Sequence, residues 1–190
     1  MIAGLVLAAG AGTRFGREPK LLADLEGRPV LHHTSDAMTQ VRALDRVVVV
    51  LGAHAEKLLS VVHFGRAEPL VCGRWQDGQS ASLRCGVDAL ADAEKILLTL
   101  GDQPLITPRI VERFTREPPG ARAAYDGHPG HPVVLGPGHA RAIRRLTGDV
   151  GARDILSGPL VESADLWVMR DLDTPEDLAA IRRCAAGAGA

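Results

Sequence analysis

The chain has 190 residues, 46% of them apolar and 24% charged, with a formal net charge of −1. That length predicts one domain with a sizeable core, and the near-neutral balance gives no electrostatic reason to expect nucleic acid as a partner. No stretch approaches the roughly 20 apolar residues of a membrane span, and no basic region precedes an apolar one at the N-terminus, so no membrane partner and a cytoplasmic location are expected.

Taken in order, Ile2 to Ala8 is a continuous apolar run, the pattern of a strand buried on both faces. Behind it stands Ala9-Gly10-Ala11-Gly12-Thr13-Arg14-Phe15-Gly16, closing with Pro19-Lys20. Small residues let the backbone turn sharply and approach a ligand with no Cβ in the way. Successive N–H groups in such a turn form an anion-binding concavity, to which Arg14 and Lys20 add two positive charges. A nucleoside triphosphate suits it. The loop is not a dinucleotide fingerprint, because Gly16 falls one residue late for G-x-G-x-x-G. It is not a Walker A loop either, because Lys20 follows Pro19 and precedes Leu21.

Glu26-Gly27-Arg28-Pro29 signals a turn, with Pro29 suited to the first position of a helix running to about Val41. Arg46–Leu51 reads as a second buried strand, Ala55–Val61 as a short helix and Leu70-Val71 as a third strand. In Trp75–Arg84, Gln79, Ser80 and Ser82 supply amide and hydroxyl groups able to read a pyrimidine edge or a ribose. Ser80 or Ser82 equally suits the cap of a helix Leu83–Ala91, and the two readings are compatible. Lys95–Leu100 is a further buried strand, and Gly101-Asp102 behind it puts a carboxylate at the C-terminal edge of the sheet, where ligands bind in open α/β folds. The next helix starts near Thr107-Pro108, too far on for Asp102 to be its cap. Alternating strands and helices predict a mostly parallel sheet with right-handed crossovers.

Glu117-Pro118-Pro119-Gly120 breaks the chain after a helix ending near Arg116. A strand Ala121–Tyr125, a turn-rich loop Asp126–Pro132 and a strand Val133–Leu135 follow. His128 and His131 lack a third ligand, so a metal there is a weak reading. Around Leu146–Arg153, Arg153 either holds a phosphate bidentately or pairs with Asp149 at a helix end. Leu160 to Met169 reads as strand. Thr174, Pro175 and Asp177 form a helix start that leaves Asp171 and Asp173 unexplained, since gathered carboxylates repel unless a cation joins them. The tail Ala185–Ala190 is expected to fray. Cys72, Cys85 and Cys184 match no disulfide or zinc spacing, and His32, His33, His54 and His63 read as structural or surface residues.

The run L-A-A-G-x-G-T-R-F-G-x-x-P-K-L-L resembles the signature of the MobA-like nucleotidyltransferase superfamily, and in this form it is similar to molybdenum cofactor cytidylyltransferases. Guanylyl-transferring relatives carry L-A-G-G where Leu7-Ala8-Ala9-Gly10 stands. The resemblance extends from Ile2 to about Leu178. It implies a three-layer α/β/α Rossmann-like nucleotidyltransferase fold with a mostly parallel sheet, as a single domain 1–190. Residues 1–120 would hold the nucleotide, and 121–190 the acceptor and a second metal ligand. The implied reaction is Mg²⁺-dependent transfer of CMP from CTP to the phosphate of molybdopterin, releasing pyrophosphate. A client molybdoenzyme or its chaperone is the implied partner.

Residue by residue, the resemblance places Leu7, Ala8, Ala9, Gly10, Gly12, Thr13, Arg14 and Lys20, with Gln79, Ser80 and Ser82, on the nucleotide. Arg14, Lys20 and Asp102 are the implied catalytic residues. Asp102, in a G-D-x-P motif, and Asp173 (or Asp171) are the implied metal ligands. Gly130, His131 and Pro132, in a G-H-P segment, and Arg153, in G-D-x-G-A-R, face the acceptor. Cys72 stands where relatives have Asn. The alternatives are another NTP, a sugar or alditol phosphate acceptor, or a non-catalytic module that binds or inserts molybdopterin. A carrier would have no use for Arg14, Lys20, Asp102 and Asp173 together.

Overall fold

A computed structural model describes residues 1–16, 18–164 and 171–187. The N-terminal apolar run forms β1 (Ile2–Ala8), followed by a small hairpin of β2 (Asp24–Leu25) and β3 (Arg28–Pro29). Then come α1 (Val30–Thr39), β4 (Arg46–Leu51), α2 (Ala55–Val61), β5 (Glu68–Val71), α3 (Gln79–Ala89), β6 (Lys95–Leu100) and α4 (Pro108–Phe114). The second part carries β7 (Arg122–Tyr125), β8 (His128–Leu135), α5 (Pro137–Ile143), β9 (Leu160–Ala164) and α6 (Pro175–Gly187).

Among the described residues, seven strands make the main sheet in the order β5-β4-β1-β6-β8-β7-β9. β1 pairs in parallel with β4 and β6, and only β8 runs against its neighbours β6 and β7. Alternate residues of the central strands feed two cores. Val6, Val47, Val49, Leu51, Leu97 and Val134 face one side with Met38 of α1, Phe114 of α4 and Ile181 of α6. Leu5, Val48, Val50, Leu98 and Val133 face the other with Leu83 and Val87 of α3 and Ile143 of α5. Strands covered on both faces must be apolar throughout, which is why β1, β4 and β6 show no polar alternation. Burying each such Val or Leu contributes about 1.5–3 kcal/mol before chain entropy is counted. The architecture is the three-layer α/β/α fold with a mostly parallel sheet that the resemblance implied.

Several boundaries differ from the sequence reading. Pro29 lies in β3, because Val30 N–H donates to the Ala23 carbonyl at 3.0 Å and closes the hairpin before α1 begins. β8 starts at His128, so Gly130, His131 and Pro132 lie on a strand and the turn shrinks to Asp126-Gly127. Glu162 ties that turn down by accepting from the Asp126 and Gly127 amides. α3 begins four residues earlier than expected, and α6 runs on to Gly187 where fraying was expected. Of the Leu160–Met169 strand, β9 covers Leu160–Ala164; residues 165–169, like 188–190 of the tail, lie outside the described residues.

Candidate functional site

The loop after β1 is shaped by its neighbour β4. Ala53 N–H donates to the Ala9 carbonyl at 3.1 Å, and His54 Nε2 donates to the Ala11 carbonyl at 3.0 Å. Gly52 permits this approach: a Cβ there would sit 2.4 Å from the Ala9 oxygen. Gly12 has φ 59°, and Thr13–Phe15 then winds into a 3₁₀ turn that presents Arg14 to solvent.

Asp102 is fixed by backbone and buried hydroxyl contacts. Gly101 N–H donates to the Leu7 carbonyl at 2.8 Å, and Thr34 Oγ1 on α1 bonds the carbonyls of Gly101 and Gln103 at 3.2 and 3.3 Å. The segment before α6 docks on this turn, with Leu172 N–H donating to the Asp102 carbonyl at 3.0 Å. That bond lays Asp173 beside Asp102. The helix start behind it forms as the sequence predicts, with Asp177 N–H donating to Thr174 Oγ1 and Thr174 N–H to Asp177 Oδ2.

Lys20 lies between the two carboxylates, its Nζ 2.6 Å from Asp102 Oδ2 and 2.9 Å from Asp173 Oδ1. Burial works against its charge, but Asp102 and Asp173 outweigh that and raise its pKa. Arg14 reaches the other oxygen of Asp173 at 2.8 Å; with its side chain 74% exposed, against 12% for Lys20, solvent screens that pair heavily. The second oxygen of Asp102, Oδ1, is buried without a hydrogen-bond partner among the described residues. Two carboxylates with a buried acceptor oxygen left over, next to the glycine-rich loop after β1, form the oxygen donor set that a hard divalent cation takes. The residues therefore fit Mg²⁺. Asp171 is diverted elsewhere: Gln103 Nε2 donates to its Oδ1 at 2.7 Å. Although the residue faces solvent, burial of the carboxyl, with the charge of Asp102 added, pushes its pKa up to about 6.

A cavity of 410 Å³ is lined by Leu7, Ala8, Ala9, Gly10, Gly12, Thr13, Arg14, Lys20, Gln79, Ser82, Asp102 and Asp173, so the loop, the start of α3 and the carboxylate pair share one space. Trp75, Ala11, Leu21 and Asp149 line it as well. Ser80 does not. Because α3 starts at Gln79, Ser80 lies in its first turn, fully buried, and its Oγ accepts from Arg84 at 3.4 Å. Neither serine caps the helix. Gln79 N–H donates to Asp149 Oδ1 and Ser80 N–H to the Gly148 carbonyl, both at 3.3 Å, so a distant segment supplies the cap. Gly78, at φ 101°, makes room for it, since a Cβ would lie 2.5 Å from the Gly148 backbone. Cys72 is buried under α3 with its Sγ 3.6 Å from the Ala81 carbonyl and is not among the lining residues.

A second cavity of 660 Å³ adjoins the first, sharing Leu7, Gln79, Leu100 and Asp149 with it. Gly130, His131 and Arg153 line it, with Gln103, Asp171 and Arg122; Pro132 is not among its lining residues. Burial, with the charge of Arg153 added, pushes the His131 pKa down to about 4, so its ring is neutral near pH 7. Arg153 begins a 3₁₀ turn, and Asp149 bonds the start of α3 where a pairing with Arg153 was one sequence alternative. Both cavities draw residues from either side of residue 120. Sequence reasoning passed over Asp149 as a capping and lining residue, and over Arg122; local capping rules look only a few residues away.

Residues 4–165 match the MobA-like NTP transferase domain. The chain belongs to that family. It is 32% identical over 193 residues to nicotine blue oxidoreductase of Paenarthrobacter nicotinovorans, covering 93% of this chain and 94% of the relative. It is 37% identical over 118 residues to 2-C-methyl-D-erythritol 4-phosphate cytidylyltransferase of Cereibacter sphaeroides, with 58% of this chain matched to 51% of that protein. Among solved structures, Rv0371c from Mycobacterium tuberculosis H37Rv superposes with a TM-score of 0.80 at 31% identity, over 96% of this chain and 97% of that one. A nucleotidyl transferase from Methanothermobacter shares the fold with a TM-score of 0.81 at 23% identity, over 99% of both chains. Among the described residues, no helix is long and apolar enough to cross a membrane.

Proposed function

We propose that this member of the nucleotidyltransferase family transfers CMP from CTP to a phosphate of a molybdopterin-type acceptor, releasing pyrophosphate. The observation that carries the reading is the meeting of Asp102 and Asp173 on Lys20, against the loop that also presents Arg14. Between two polyanions, phosphoryl transfer is chiefly a matter of position and charge neutralisation. The loop amides and Arg14 would hold the β- and γ-phosphates. Lys20 would follow the charge developing near the α-phosphate. Gln79 and Ser82 at the start of α3 would contact base and ribose, while Gly130, His131 and Arg153 would face the acceptor. An acceptor phosphate is already ionised, so no side chain need remove a proton from it. When bound by Asp102 and Asp173, Mg²⁺ would supply charge neutralisation between the two phosphates. The cytidylyltransferase relatives and the Leu7-Ala8-Ala9-Gly10 form of the loop favour CTP. The signature's likeness to molybdenum cofactor enzymes favours the acceptor.

The test is pyrophosphate release with Mg²⁺ and molybdopterin, comparing CTP, GTP, ATP and UTP. Selective release with CTP is expected; release only with a sugar or alditol phosphate would move the acceptor assignment. A second reading comes from the similarity to nicotine blue oxidoreductase along nearly the full chain. Redox turnover of nicotine blue, with no pyrophosphate released from any nucleotide, would establish that reading instead.

A further inference from the structure

The floor of the larger cavity is a row of residues running across the sheet. Leu98 on β6 pairs with Val133 on β8, and Val133 with Arg122 on β7, so the three side chains stand on one face. Two members are apolar and buried, as a strand face under a helical layer should be. The third is an arginine. Among the described residues its Nε is buried without a hydrogen-bond partner, and so is Nδ1 of His131, two residues before Val133 on the same face of β8. Arg122, His131 and Arg153 all line the cavity, and among the described residues no carboxylate forms an ion pair with either arginine. A guanidinium nitrogen left unpaired in an apolar row is costly unless something returns its hydrogen bond.

Position decides what that partner is. Two strand spacings separate β7 from β6, roughly 10 Å, and Leu98 lies four residues before Asp102, roughly 13 Å along the strand direction. Arg122 is therefore too far away to hold the phosphate that reacts beside Asp102 and Lys20. We infer that Arg122 and Arg153 form an anchor for a second, distal anionic group of the acceptor, a phosphate-like dianion, with Nδ1 of His131 beside them. The inference rests on the nucleotidyl-transfer reading of the adjoining site and not on molybdopterin, whose single phosphate is the reacting one; it calls for an acceptor that carries a second anionic group. Guanidinium groups favour such oxyanions through paired hydrogen bonds, and two cations favour a dianion over a carboxylate.

The experiment titrates inorganic phosphate, with acetate at equal ionic strength as control, and follows thermal stability in an Arg14→Ala/Lys20→Ala background that blinds the nucleotide loop. Phosphate is expected to stabilise this protein, and adding Arg122→Met or Arg153→Met to weaken the phosphate midpoint at least ten-fold. Arg122→Lys should retain part of the response, which keeps the test open if Arg122→Met folds poorly. An unchanged midpoint in both Met variants, no phosphate response in the blinded protein, or an equal response to acetate would overturn the anchor. CTP affinity is measured separately in wild type and in Arg122→Met with the loop intact. It is expected to be the same in both, and failure of the wild type to bind CTP would sink the nucleotide reading while leaving the phosphate result standing.

Discussion

The ammonium of Lys20 lies 2.6 Å from Oδ2 of Asp102, with Asp173 2.9 Å from it as well. A built-in cation thus holds together two carboxylates that would otherwise repel each other, and it competes with any metal for their oxygens. Lys20→Met removes the competitor. Mn²⁺ affinity without nucleotide is expected to rise roughly ten-fold, equivalent to about 1.4 kcal/mol. Electron paramagnetic titration of free Mn²⁺ reads this directly, and weaker binding would show that Lys20 assists the metal.

Asp102→Ala is expected to lower turnover at least a hundred-fold, the scale of losing a positioned electrostatic group. The fold should persist by circular dichroism, because Lys20 keeps Asp173 as its partner. Unchanged turnover would remove Asp102 from the chemistry.

Asp149 closes the start of α3 from another part of the chain. Asp149→Ala is expected to cost about 1 kcal/mol in urea denaturation, as for other lost helix caps. Because Gln79 lines the cavity proposed to take the nucleotide, the KM for the nucleotide should rise more than kcat falls. A stability loss with unchanged KM would confine Asp149 to the helix end.

Gly52→Ala drives a methyl group to 2.4 Å from the Ala9 carbonyl oxygen, a contact only backbone movement relieves. The shift would fall on the loop that carries Arg14 and Lys20. Weaker nucleotide binding, measured calorimetrically, is expected together with a stability loss of about 1–3 kcal/mol. An unaltered nucleotide affinity would show that the loop does not depend on this approach.

His131 is neutral in the fold with its pKa at about 4, below the ordinary value of 6.5, through burial and then the charge of Arg153. Between those values the unfolded chain binds the extra proton, so stability contributed by the neutral ring is present above pH 6.5 and lost as pH falls toward 4. The loss amounts to about 3 kcal/mol if nothing else compensates. Denaturation across this range should show a shallower pH slope for His131→Gln than for wild type, and identical slopes would contradict the buried neutral ring.

Local signals made much of this molecule readable. The apolar runs of β1, β4 and β6 announce doubly covered strands because nothing else keeps four or more consecutive β-branched and aliphatic residues out of water. Small residues and two cations after β1 do the same for the loop, and the Gly-Asp step after β6 needs no distant information. What escaped was decided at long range. Ser80 looked like a ligand contact or a cap because Asp149, which takes the cap, is 70 residues away from Gln79, the residue whose N–H it accepts from. His131 looked like a loop residue because Gly and Pro suggest turns, whereas pairing of β8 with β6 and β7 overrides them. The resemblance favoured Asp173 over Asp171, but the residues themselves gave no physical reason; the docking of Leu172 on Asp102 supplies it, with Asp173 turned toward Lys20 and Asp171 toward Gln103.

That docking also has a temporal side. The carboxylate pair is assembled from a turn in mid-chain and a segment just ahead of the last helix. During synthesis the loop after β1 and Asp102 emerge from the ribosome long before Asp173, and loop closure between them waits for the 70 residues that separate the two aspartates. A nascent chain thus carries the loop after β1 with half of the facing carboxylate pair missing. Competence for chemistry would arrive late and all at once, coupled to completion of the fold.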